Sequence, residues 1–241
     1  ALMGTDGLAE ATKVAILTET QAATFGGTTT YSIDAQVVYL PVSTGFESVT
    51  LYVNVDGVNH RLFGARGSVS LEMSAKQRPL YRFTFKGLYQ TVVDAALPTT
   101  VLTAFVAPKV VNTTNTPLVK LHGLTTAVLE RFTADLANNV VFRSLVGSES
   151  VLITDRRPRG DITSEAVTVA TKDWWTVVRD ATLSGFTMNH GTVAGNIVGI
   201  HAPKAQILPP TYTDSDGITM MPTGLTFSPN LGNDELVIRV Q

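Results

Sequence analysis

Between residues 46 and 86 the chain alternates apolar and polar side chains with a period of two, the pattern of a pleated strand with one dry and one wet face. Val49, Leu51, Val53 and Val55 fall on one side, and Thr50, Tyr52, Asn54 and Asp56 on the other. Asp56-Gly57 turns the chain, and a return strand is expected from Val58 to about Phe63. After Gly64 and Gly67 the alternation resumes, setting Val69, Leu71 and Met73 against Ser68, Ser70 and Glu72. Past Pro79, Tyr81, Phe83 and Phe85 oppose Arg82, Thr84 and Lys86, and Gly87 closes the run. The segment reads as an antiparallel meander.

Its skeleton returns 137 positions later. That shift lays Val49-Thr50-Leu51 on Phe186-Thr187-Met188, Asn59 on Asn196, Ala65 on Ala202 and Leu71 on Leu208 without a gap. With a short insertion, Phe83-Thr84-Phe85 resembles Leu225-Thr226-Phe227. A chain of 241 residues accommodates one large domain or two modest ones, and a duplication favours two. The expected organisation is a first domain over 1–90, a linker or extended arm over 91–124, and a second domain over 125–241. The arm is read from Pro98, Pro108, Pro117 and the run Asn112-Thr113-Thr114-Asn115-Thr116. Such a connection suits a passage between domains or across a neighbouring subunit.

Threonine and valine make up over a quarter of the residues and favour pleated sheet. Charged residues are only 16%, against about 25% in ordinary soluble domains, so the surface is short of the charges that keep proteins apart. Self-association follows. The net charge of -2 and the single basic cluster, Arg156-Arg157-Pro158-Arg159, argue against a protein that grips nucleic acid. Flanked by Asp155 and Asp161, that cluster reads as an exposed turn between strands. There is no cysteine, hence no disulfide, and no apolar stretch long enough for a membrane helix.

Further strands are expected at Tyr31 to Leu40, after a loop from Ala23 to Thr30, and then near Val128 to Asp135, Val140 to Val146, Ser150 to Thr154, Ile162 to Val169, Leu225 to Phe227 and Glu235 to Val240. A short helix is expected at Leu2 to Glu10. A second follows Thr171 as cap, with Asp173 in its first turn and Trp174, Val177, Val178 and Ala181 on one face. Trp175 points elsewhere, either as a partly covered surface aromatic or as an intersubunit anchor.

Motifs that carry chemistry are missing from the sequence. No phosphate-cradling GxxxxGK[ST] or GxGxxG and no GxSxG elbow occurs, and His60, His122, His190 and His201 stand alone without metal-ligand spacing. Asp214-Ser215-Asp216-Gly217 lacks the later ligands of a calcium loop and reads as a tight turn. No catalytic, cofactor or metal residue is assigned, and the chain is not read as an enzyme.

Several stretches resemble the major tail tube proteins of long-tailed bacteriophages. They are Gly57-Val58-Asn59-His60 through Gly64-Ala65-Arg66-Gly67, Phe83 to Tyr89, Asp94-Ala95-Ala96-Leu97-Pro98, Gly147 to Arg156, Ala170-Thr171-Lys172-Asp173, Gly195-Asn196-Ile197-Val198, Tyr212 to Gly217 and Gly232 to Leu236. The resemblance implies a mainly β protein of two related β-sandwich or barrel tube domains, each with a short helix, completing a barrel across subunits. It implies stacked rings around a channel for genome delivery, located in the virion tail and assembled in the host cytoplasm. The implied partners are further copies of the chain, with three per ring giving pseudo-six-fold symmetry, together with tape measure and tail-tip or terminator proteins. DNA would pass without specific binding, and no membrane or cofactor is involved. Thr50, Tyr52, Asn54, Ser68, Ser70 and Glu72 are the candidates for the lumen lining or for ring contacts. Relatives are expected to carry more β-sequence ahead of the Ala1 to Glu10 segment, and the Thr-rich stretch from Ala22 to Thr30 is longer than the resemblance implies. The first domain is therefore expected to lack its N-terminal part. The alternative is a β-sandwich adhesin or carbohydrate-binding module on a virion surface, with Trp174-Trp175 as its aromatic platform.

Overall fold

A computed structural model describes residues 37–241 apart from Ala104. The helix expected at Leu2 to Glu10, the loop at 23–30 and residues 31–36 of the first expected strand lie outside the described residues. The strands of the first half are β1 (Val37–Tyr39), β2 (Val49–Val55), β3 (Val58–Ser74), β4 (Leu80–Tyr89), β5 (Val93–Asp94) and β6 (Leu118–Leu121). The second half holds β7 (Leu129–Asp135), β8 (Asn138–Leu145), β9 (Ser148–Arg156), β10 (Arg159–Glu165), helix α1 (Trp174–Arg179), β11 (Leu183–His190), β12 (Val198–Ile207), β13 (Thr213–Ser215), β14 (Ile218–Ser228) and β15 (Val237–Val240).

Asp56 and Gly57 both take positive φ, 43° and 84°, the backbone that a two-residue hairpin turn with the native strand twist requires. The return strand does not stop near Phe63. β3 runs unbroken for 17 residues. Gly64, at φ 56°, sits within an irregularity where the register against β4 shifts between Phe63 and Arg66. A glycine able to enter the left-handed region bends a strand there without ending it. The second half differs from expectation in similar detail. β14 extends well beyond Leu225 to Phe227, while β10 stops at Glu165 because the chain turns at Thr168, whose carbonyl accepts from the Thr171 and Lys172 amides.

The repeated skeleton recurs in strand pairing. Val49 opposes Ala65 in β2–β3, and their counterparts Phe186 and Ala202 oppose each other in β11–β12. Beyond Val49 an irregularity in β2 offsets the two hairpins by one residue. In each unit the long middle strand takes a third strand along its far half, β4 on β3 and β14 on β12. Its near end takes a short one, β5 on β3 and β15 on β12.

The two units are joined through β3–β7–β10–β14–β12, so 13 strands form one antiparallel sheet system, while β8–β9 stands as a separate hairpin. One apolar cluster fills its inner side. Leu71 and Met73 of β3 join Phe132, Ile162, Phe186, Met188, Ile200, Leu225 and Phe227 there. Burying side chains of this size stabilises by about 1.5–3 kcal/mol each.

The described residues hold one helix, α1. Its cap is Asp173 rather than Thr171: the carboxylate accepts from the Thr176 amide at 3.0 Å, while Thr171 is taken up by a hydroxyl contact to Thr168. That amide bond is also the main reason the Asp173 pKa is lowered. Trp174 enters the core with Val177 and Val178 packed beside it. Ala181 lies past the helix end, exposed and at φ 48°, and is not part of the stripe.

The stretch over 91–124 carries more structure than a free linker. β5 and β6 lie within it, Val111 is buried, and its backbone bonds to Lys76 and Gln77 tie it to the end of β3.

Candidate functional site

The side of the sheet turned away from the core is where the two halves form one surface. Strand register carries a row of polar residues straight across six strands: Arg82 opposes Ser70, Ser70 opposes Asp135, Asp135 opposes Arg159, Arg159 opposes Thr226, and Thr226 opposes Gln206. One step along, Glu72, Thr133 and Asp161 form a second row. Apart from Arg82, each of these residues neighbours a buried one along its own strand, such as Leu71, Phe132, Ala134 and Ile162. Strict alternation therefore keeps this face polar.

Some of the charges on it are paired locally. Glu72 accepts from Arg131 at 2.9 Å and lies 3.5 Å from Arg82. Thr133 receives the Asp161 amide at 3.2 Å. A cavity of about 600 Å³ opens on the same face, lined among others by Ser68, Ser70, Arg82, Thr84, Asp135 and Arg159. Arg82, Arg156, Arg157 and Arg159 line it against Asp135 and Asp155, and the first three of these arginines are paired with Glu72, Glu235 and Asp155.

Of the residues singled out in the sequence, Ser70 and Glu72 lie in these rows, and Ser68, one step further along β3, opposes Thr84 and accepts from the Asn138 amide. Thr50, Tyr52 and Asn54 sit on β2, which pairs with the other half of β3, and they face away from the Val49 to Val55 side. Asn54 is tied to Asn59 by a 2.7 Å bond, and the Arg61 guanidinium lies 5.9 Å from the Tyr52 ring centre. Sequence reasoning missed Asp135, Arg159 and Asp161, which join the face only through the pairing of β7 and β10.

Arg157 and Pro158 form the connection between β9 and β10, but Arg156 is not an exposed turn residue. It is about one-tenth exposed and binds Glu235 at 3.0 Å. Trp175 is about half exposed and meets Tyr212 edge to face, with ring centres 6.0 Å apart. Asp216 and Gly217, at φ 55° and 81°, make the tight turn between β13 and β14.

A family model described as phage tail tube protein matches residues 14–229. The chain belongs to the phage tail tube protein family. No curated protein matches it in a sequence comparison. As a tail tube protein it is a structural component of the phage virion tail rather than a member of an enzyme family, and family membership implies self-assembly into a tube. The described residues carry that role in a mainly antiparallel β fold with one short helix.

Proposed function

We propose that copies of this tail tube protein close into stacked rings whose bore is lined by the polar sheet face, forming the channel through which the genome leaves the virion. The observation that carries this reading is the unbroken polar row from Arg82 to Gln206, which spans both repeat units on one surface. A wall with Ser70, Thr133 and Thr226 between charges of both signs, Glu72 holding Arg82 and Arg131, gives phosphates few fixed contacts, so DNA passes without sequence-specific binding. Edge strands left open in one copy find partners in the next, and ring closure removes them altogether.

In this reading each chain supplies two tube domains, over 1–90 and 125–241, joined by the arm over 91–124. Three chains then give a pseudo-six-fold ring. The tube would be assembled in the host cytoplasm around a tape measure protein and closed by tail-tip and terminator proteins. The repeated register of Val49 with Ala65 and Phe186 with Ala202 supports the pseudo-symmetry.

Electron microscopy of the purified protein at rising concentration tests the proposal. Hollow striated rods with three copies per ring are expected. Six copies per ring would remove the two-domain part, and a particle that stays monomeric at every concentration would remove the whole.

A further inference from the structure

Among the described residues, two uncharged apolar surfaces are exposed. The first is the dry face of the first repeat. Val53 and Val55 on β2 and Phe83 and Tyr89 on β4 are each about half exposed or more. Phe83 and Phe85 stack at 6.2 Å between centres, with Tyr81 next in line at 6.3 Å from Phe83. Exposed apolar patches of this kind mark interaction sites.

The second repeat shows what an equivalent face can be covered by. In the second unit the equivalent face is covered by α1, whose Trp174, Val177 and Val178 pack on the core. Moving back by the repeat offset from α1 gives residues 37–42, which begin with β1, a strand engaged with β15 instead. Among the described residues, the first repeat therefore has no helix in the place that α1 takes in the second.

The second surface is the strap between β5 and Val111. From residue 95 to 108 no side chain is charged, and Leu97, Val101, Leu102, Phe105 and Val106 are each more than half exposed. The strap is pinned at both ends. Ala95 donates to the Gly57 carbonyl at the start of β3, and Val111 bridges Ala75 just past its end. It contains fewer residues than the stretch of β3 that it spans, so it has little slack with which to bury itself.

Resting on the self-assembly reading above, we propose that the strap of one copy docks through Leu102, Phe105 and Val106 on the bare β2–β4 face of a second copy, supplying the cover that α1 supplies in the other repeat. Both surfaces lack charge, so neither opposes the contact with unpaired ions. Each copy offers one strap and one face, so the contact is head-to-tail and continues from copy to copy.

Because the sequence has no cysteine, engineered thiols report this contact directly. Phe105→Cys is combined in turn with Val53→Cys, Phe83→Cys and Tyr89→Cys, and each variant is treated with a short bismaleimide. At least one double variant is expected to give a ladder of dimers, trimers and larger species, while the single variants stay monomeric. Dimers from Phe105→Cys alone would mean that straps meet straps. An internally cross-linked monomer would mean that the strap covers its own face. Either result, or no cross-link in any pair, overturns the proposal. Microscopy of the same samples separates it from the tube reading: rods without a ladder leave the tube standing and remove the strap contact, and a ladder without rods does the reverse.

Discussion

Arg156 meets Glu235 at 3.0 Å with both side chains about one-tenth exposed, tying the base of the β8–β9 hairpin to the loop that leads into β15. The same guanidinium donates to the Val42 carbonyl at 2.7 Å and to Asn233 Oδ1 at 2.9 Å. Two separate segments of chain, at Val42 and at Asn233 to Glu235, thus converge on one side chain. Among the described residues, Arg156 Nε and Glu235 Oε2 have no hydrogen-bond partner, so the desolvated charges are incompletely compensated.

Removing one partner leaves the other buried and uncompensated, which costs about 3–5 kcal/mol. Glu235→Ala should lower the denaturation midpoint accordingly. Arg156→Met combined with Glu235→Leu should recover most of the loss, since a well-packed apolar pair avoids the desolvation penalty. Urea titrations of the three proteins decide the matter. A double variant no better than Glu235→Ala would show that the bonds to Val42 and Asn233 carry the junction instead.

Phe132 and Phe186 stack with ring centres 4.5 Å apart, and both are fully buried. The contact joins β7, which binds the first repeat, to β11 of the second. Phe132→Ala should therefore cost about 3–5 kcal/mol, from lost transfer energy and the cavity left behind. Phe132→Leu should cost markedly less. Thermal unfolding followed by circular dichroism measures both, and equal losses would mean that aromatic geometry, not volume, sets the cost.

His201 is buried on β12, with Thr187 Oγ1 2.8 Å from its Nδ1. Burial first, and then the charge of Arg239, push its pKa from 6.5 down to about 4, against the opposing pull of Asp234. The unfolded chain therefore takes up this proton near pH 6.5 and the folded chain only near pH 4. Stability must fall as pH drops through that window. The full difference is worth about 3 kcal/mol below the folded pKa. Burial lowers the pKa values of His122 and His190 as well, and they act with the same sign. His201→Gln should flatten the decline in stability between neutral pH and about pH 4. An unchanged slope in denaturant titrations across that range would assign the acid sensitivity elsewhere.

How much of this could be read from the chain alone depends on how local the cause is. The β2–β3 hairpin was legible because alternation and Asp56-Gly57 act within a few residues. β3 was misread as two strands because Gly64 looks like a stop, and only its pairing with β4 shows a bend within a continuous strand. The cap of α1 was displaced by two residues because Thr168 competes for Thr171. Ser70 and Glu72 were picked out by their strand pattern. Their partners Asp135 and Arg131 were not, because β7 reaches β3 across more than fifty residues of chain and only register aligns them.

Glu72 is the residue on which the neutrality of the polar face depends most directly, since it lies between Arg131 at 2.9 Å and Arg82 at 3.5 Å. All three side chains are substantially solvated, so Glu72→Gln should change stability by no more than about 1 kcal/mol. Its effect on the surface should be larger. Two arginines lose their shared carboxylate, and both become available to phosphate. If this face lines the bore, short duplex DNA should bind the variant more tightly than the parent at low salt. The dependence of log K on log salt should steepen by about 2, one unit for each freed phosphate contact. Arg82→Gln added to Glu72→Gln should reverse part of the gain. Fluorescence anisotropy with a labelled duplex at several salt concentrations reads all three proteins. A variant that gains no DNA affinity would place Glu72 away from the path of the genome, and so would count against a bore lined by β3.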